Sequence, residues 1–191
     1  MTKCIVDLGG IEGISEAAIN DCYAVYLRLW SQEDKVMIYR TDDDLDIAVA
    51  LSGTLPIFTE LKEPYSDKWK ASIIKNGMFM HIASEDKEII HELYISSPSL
   101  TLGLIEPPYR CLEITEHDFF ISYVILNYTS TNRARVFSWR EKHPDVTIYI
   151  RGITTEQQTQ HALAWKVDGI ITNCSKLVTE YIQTFSCAKF D

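Results

Sequence analysis

The stretch Val146-Thr-Ile-Tyr-Ile-Arg-Gly-Ile-Thr-Thr155, followed after residues 156–165 by Lys166-Val-Asp-Gly-Ile-Ile-Thr-Asn173, decides the fold. Each half is a short run rich in β-branched residues that ends on glycine or a polar residue, and the ten residues between them read as a helix. Strand, crossover helix and strand together make the building unit of a parallel sheet.

Outward from this unit the same alternation continues to both ends of the chain. Strands are expected at 4–8, 24–30, 36–40, 78–83, 100–106, 119–127, 146–151 and 169–173. Helices are expected at 14–21, 45–51, 68–75, 86–93, 132–142, 156–165 and 176–184, several with Ser, Thr or Asp at the N-cap. Eight strands suggest a closed α/β barrel. The chain of 191 residues falls below the roughly 250 typical of that architecture. The expected fold is therefore a shortened (β/α)8 TIM-type barrel with some helices short or missing, its circuit either complete or incomplete. Residues 1–191 form one domain in this reading, with no linker or repeat.

Composition narrows the function. A formal charge of −9, with 18 Lys and Arg against 27 Asp and Glu, argues against a nucleic-acid partner, which needs a basic stripe. No run of about 18 apolar residues suggests a membrane span, and the N-terminus lacks a signal-peptide pattern. Cys4, Cys22, Cys111, Cys174 and Cys187 are odd in number and never spaced as C-x-x-C, so they read as thiols of a reducing, cytoplasmic setting. The run Asp42-Asp43-Asp44-Leu45-Asp46 lacks the Gly and Glu of a calcium loop, and suits a helix N-terminus better.

Along 25–30, alternation puts Val25, Leu27 and Leu29 on one face and Tyr26, Arg28 and Trp30 on the other. If the aliphatic face packs on helices, Arg28 points into the barrel.

The C-terminal unit resembles the last two βα units of the glycerophosphodiester phosphodiesterase family, where the segment reads Trp-Thr-Val-Asn, a helix, then Gly-Val-Asp-Gly-Ile-Ile-Thr-Asp-x-Pro. The segment from Val25 through Arg40-Thr41-Asp42-Asp43-Asp44-Leu45 is similar to that family's strand pair, and Leu55-Pro-Ile-Phe-Thr-Glu-Leu-Lys62 to the segment before its next helix. The resemblance implies a barrel of lipid metabolism that hydrolyses a phosphodiester with a carboxylate-held divalent metal and two histidines.

Carried across position by position, that chemistry is missing. The family's first-strand His falls on Asp7, its metal-binding Glu and Asp on Tyr26 and Arg28, and its second His-Asp on Arg40-Thr41. Its fourth-strand Glu-x-Lys falls on His81-x-Ala83, and its final Asp-x-Pro on Asn173-Cys-Ser. A guanidinium repels a cation and cannot ligate it. The first expectation is thus a catalytically inactive barrel that binds a protein or a small anion without a cofactor. Arg28, Arg40, His81 and Arg151 would then line an anion site, unless the arginines pair with Asp7, Glu106 or neighbouring acids and close the barrel top.

A second expectation is a phosphodiesterase with a relocated magnesium or calcium site built from Asp7, Glu106 and Glu113, with His81 as proton donor. A third is a glycerol-phosphate-responsive regulatory barrel. The cluster Glu113-Ile-Thr-Glu-His-Asp118 reads as a solvated turn before a metal site. A phosphate-bearing small molecule or a protein is the expected partner, and a second copy of the chain could cover an exposed edge.

Overall fold

The computed structural model describes residues 2–7, 12–32, 35–38, 45, 49, 55–62, 67–77, 80–107, 112–115 and 118–187. Its strands are β1 (Lys3–Val6), β2 (Ala24–Gln32), β3 (Lys35–Ile38), β4 (Ile57–Leu61), β5 (Met80–Ser84), β6 (Thr101–Ile105), β7 (Tyr123–Asn127), β8 (Thr147–Arg151) and β9 (Gly169–Thr172). The helices are α1 (Glu12–Ile19), α2 (Asp67–Asn76), α3 (Lys87–Ser96), α4 (Arg133–Lys142), α5 (Glu156–Ala164) and α6 (Ser175–Cys187).

Eight parallel strands run in the order β1-β9-β8-β7-β6-β5-β4-β2, and the pairing of β1 with β2 closes the circuit. The barrel is complete. Strand alternation explains its two cores. Val25, Leu27, Ile57, Ile82, Leu102, Leu104, Val124, Ile148 and Ile150 face outward to the helices, whereas Tyr26, Phe58, Ala83, Ile105, Ile125, Tyr149 and Ile171 fill the barrel. Both faces are covered, as parallel sheets require.

One layer of the interior is aromatic. Phe58 stacks on His81 with ring centroids 4.3 Å apart, and meets Tyr149 edge-on at 5.0 Å and Tyr123 at 5.6 Å. Two strand glycines admit these rings: a Cβ on Gly103 would stand 2.4 Å from the Tyr123 ring, and one on Gly169 2.6 Å from Tyr149.

Membership of the barrel differs from the expectation in two strands. Lys35–Ile38 is antiparallel to the far half of β2, pairing Leu29 with Ile38 and Gln32 with Lys35, and stands outside the parallel circuit. Its place is taken by Ile57–Leu61, which pairs with β2 and β5. Every residue of that strand is buried, so it shows no polar alternation. The strand expected at 119–127 begins only at Tyr123, because buried Asp118 accepts from Thr115 N at 2.8 Å and from its Oγ1 at 3.0 Å, fixing a turn that leaves Phe119 exposed.

The helices lie close to their expected positions, and their caps are built from the sequence. Asp86 accepts from Glu88 N ahead of α3, Asn132 from Arg135 N ahead of α4, and Thr155 and Gln158 form a capping box on α5. Of the helix expected at 45–51, only Leu45 and Val49 are among the described residues, both helical, with Leu45 buried. No helix among the described residues is long and apolar enough to cross a membrane.

Candidate functional site at the barrel mouth

The period-2 alternation that places rings inside the barrel also sets what stands at the strands' C-terminal ends. Two residues beyond inward Phe58 comes Glu60, two beyond Tyr26 comes Arg28, two beyond Tyr149 comes Arg151, and two beyond Ile125 comes Asn127. These side chains meet over the aromatic layer.

Glu60 is the centre of the arrangement and is 1% exposed. Its Oε2 accepts from the Tyr26 hydroxyl at 3.0 Å and lies 3.2 Å from Arg28 Nε. Its Oε1 lies 2.6 Å from Lys62 Nζ and 3.2 Å from Arg151 Nη1. Burial alone would raise the Glu60 pKa, but Arg151, Lys62 and Arg28 outweigh it and hold the carboxyl below its ordinary value. The Tyr26 phenol moves the other way: burial, then the charge of Glu60, push its pKa well up.

The surrounding charges are paired in turn. Arg28 holds Asp7 in a two-bond fork, Nη1 to Oδ1 at 3.0 Å and Nη2 to Oδ2 at 2.7 Å. Arg151 donates from Nε to Asn127 Oδ1 at 2.6 Å and from Nη2 to Glu85 Oε1 at 3.4 Å. Burial would lower the pKa of both guanidiniums, yet the facing acids, together with the Tyr26 phenol, keep both raised. Buried Glu106 pairs with Arg135 and accepts from Ser130 Oγ at 2.8 Å.

The mouth among the described residues is therefore charge-balanced: Arg28, Lys62, Arg135 and Arg151 stand against Asp7, Glu60, Glu85 and Glu106. Of the two readings left open for the arginines, the described residues take the one in which they pair with acids, Arg28 with Asp7 and Glu60 and Arg151 with Glu60 and Glu85. Of the candidate anion-binding residues, Arg28 and Arg151 come together on Glu60, whereas Arg40 lies outside the described residues. His81 does not join them. It sits one residue into β5 at the opposite end of the strand, where burial and then the charge of Lys3 lower its pKa to about 4.

Asp7, Glu106 and Glu113 do not converge either. Asp7 is committed to Arg28, Glu106 to Arg135, and Glu113 is exposed on the loop before Thr115. Among the described residues no group of three or more His, Cys, Asp or Glu side chains could hold a metal ion. Glu116 and His117 lie outside those residues.

No family model matches the chain, and no curated protein matches it. Solved structures do. A glycerophosphodiester phosphodiesterase from Parabacteroides distasonis superposes with a TM-score of 0.80 at 11% identity, over 97% of this chain and 98% of that one. An Oleispira antarctica phosphodiesterase, solved with the product sn-glycerol-3-phosphate, gives 0.82 at 9% identity over 96% and 97%. The Thermotoga maritima glycerophosphodiester phosphodiesterase gives 0.73 at 12% identity over 95% and 98%. The fold is that of the glycerophosphodiester phosphodiesterase barrels.

With the phosphodiesterase-like barrel in place, one motif of the sequence reading has a second match. The fourth strand in chain order is β4, which ends Glu60-Leu61 with Lys62 just beyond it, so the Glu-x-Lys spacing that the resemblance carried onto His81-x-Ala83 also occurs here. The strand was hidden because Ile57–Leu61 lacks alternation; its signal was the acid and lysine flanking Leu61. A divalent cation does not fit this set. The positions that the resemblance assigns to a metal-binding Glu and Asp carry Tyr26 and Arg28, and both direct their donors at Glu60. A carboxylate already satisfied by a phenol, two guanidiniums and an ammonium has no lone pairs left for a metal.

Proposed function

We propose that this phosphodiesterase-like barrel is catalytically silent and acts by binding a phosphate-bearing small molecule or a protein at its mouth, without a resident metal. The observation that carries the reading is the Tyr26–Glu60–Arg28 contact, in which a phenol and a guanidinium stand at the expected ligand positions, the phenol donating to the buried Glu60 carboxylate and the guanidinium pairing with it. We take the chain as a single cytoplasmic domain.

Glu85 is the loosest member of the network. It is 36% exposed and lies 3.4 Å from Arg151 and 3.9 Å from Lys62. A phosphate that displaced it would accept from the same two cations, from Arg151 through Nη2 and from Lys62 through Nζ. The neighbour from Oleispira antarctica holds sn-glycerol-3-phosphate, which makes that molecule the natural first probe.

Calorimetric titration with sn-glycerol-3-phosphate and with magnesium, calcium and manganese, alongside a glycerophosphodiester turnover assay, tests both halves. The expected result is phosphate-ester binding that Arg151→Met abolishes, with neither metal binding nor turnover. Metal-dependent turnover would overturn the loss of catalysis. Silence toward the phosphate ester would turn the binding reading toward a protein partner.

A further inference from the structure

Cys4 and Cys22 take no part in the mouth. Cys4 lies on β1 with its side chain in the outer core, and Cys22 lies in the turn from α1 into β2. Both are buried, and their sulfurs stand 3.7 Å apart. The backbones are already joined, since Tyr23 N donates to Cys4 O at 2.9 Å. Thr179 Oγ1 on α6 stands 3.5 Å from Cys22 Sγ, and Cys4 Sγ donates to Ser175 O at 3.8 Å. The hydrogen bond with Cys4 is the main cause of a Cys22 pKa lowered to about 7; burial and the charges of Glu16 and Asp21 oppose it, and Thr179 adds to it.

The pair spans the thinnest seam of the barrel. Among the described residues β1 meets β2 through only two register pairs, Ile5 with Ala24 and Val6 with Val25, whereas each other barrel junction has at least three. A covalent link here would reinforce closure where backbone pairing contributes least.

We propose that Cys4 and Cys22 form a peroxide-operated lock, joining as a disulfide that staples β1 to the start of β2. Cys22 thiolate attacks one oxygen of hydrogen peroxide, the O–O bond breaks, and hydroxide leaves with Cys22 as a sulfenic acid. Cys4 sulfur then attacks Cys22 Sγ and displaces the sulfenic hydroxyl. The two thiol protons end on the two departing oxygens. The balance is two thiols and one peroxide to one disulfide and two waters. The bond requires the sulfurs to close from 3.7 Å to about 2.05 Å.

The test uses the full chain, fully reduced and then exposed to hydrogen peroxide. Intact mass is expected to fall by about 2 Da, the loss of two hydrogens. Digestion without reductant should yield a peptide linking Cys4 to Cys22. The melting temperature should rise by about 5–10 °C through closure of the intervening loop, and fall back on reduction. Cys22→Ser and Cys4→Ala should each remove the linked peptide and the rise. Should either variant fail to fold, peptide mapping of the unsubstituted chain decides alone. Sulfinic acid at Cys22 without a link, pairing with Cys111, Cys174 or Cys187 instead, or a link with no change in melting temperature would each overturn the proposal.

Discussion

Glu60 shows how one side chain determines the character of a site. With three cations and a phenol around a buried carboxylate, its removal strands positive charge at the barrel top. Glu60→Gln is therefore expected to destabilise the fold by about 3–5 kcal/mol, the range for breaking one side of a buried ion network. Urea unfolding of the variant against the unsubstituted protein checks this; a change below about 1 kcal/mol would mean the network is no better than a surface pair. Arg28 and Arg151 were legible in the sequence because the alternation of β2 and β8 was plain. Glu60 was not legible, since its strand was unrecognised, and His81 was put at the mouth because the strand was expected to end at Ala83, whereas β5 as described runs from Met80 to Ser84 with His81 near its start.

At the level of the elements, the interior layer depends on strands that omit a side chain where a ring must enter. Gly103→Ala would set a methyl group 2.4 Å from the buried Tyr123 ring, which has Phe58, His81 and Tyr149 around it and nowhere to retreat. The expected cost is about 1–3 kcal/mol of stability, measured by denaturant unfolding, and pairing it with Tyr123→Leu should recover part of it. The helices were readable from their alternation with the strands and from residues such as Asp86 and Thr155 at their N-caps. One strand escaped and one was misplaced: Ile57–Leu61 is buried on both faces and carries no pattern, whereas Lys35–Ile38 is the strand expected at 36–40 yet pairs antiparallel on the overhanging half of β2. Composition records that a segment is extended, not which edge it will find.

For the molecule as a whole, acid should loosen the barrel in two stages. His81 has a folded pKa of about 4, below its unfolded value of about 6.5, so the unfolded chain binds the extra proton between those limits and stability falls as pH drops through that window. Glu60 and Asp118 have folded pKa values lowered by their basic neighbours, against burial in each case; the stability they supply is present above the ordinary carboxylate range and is lost as pH falls through their folded values. Urea midpoints recorded from pH 7 to pH 4 should show the first decline, and His81→Phe, which keeps a ring against Phe58, should flatten it. An unchanged slope in that variant would place the proton uptake elsewhere.

The order of the strands has a consequence for how the chain reaches this state. Among the described strands of the barrel β1 comes first in the chain, yet one of its two neighbours, β9, comes after all the others, paired from Lys3 with Gly169 to Val6 with Thr172. While β2 through β8 can assemble as they emerge, β1 keeps one edge open until β9 has followed them. The nascent barrel is then a curled sheet with two free edges, the form most exposed to pairing with a stray strand. The arrival of β9 is what turns that sheet into a ring, so any delay between β8 and β9 prolongs the interval in which aggregation competes with closure.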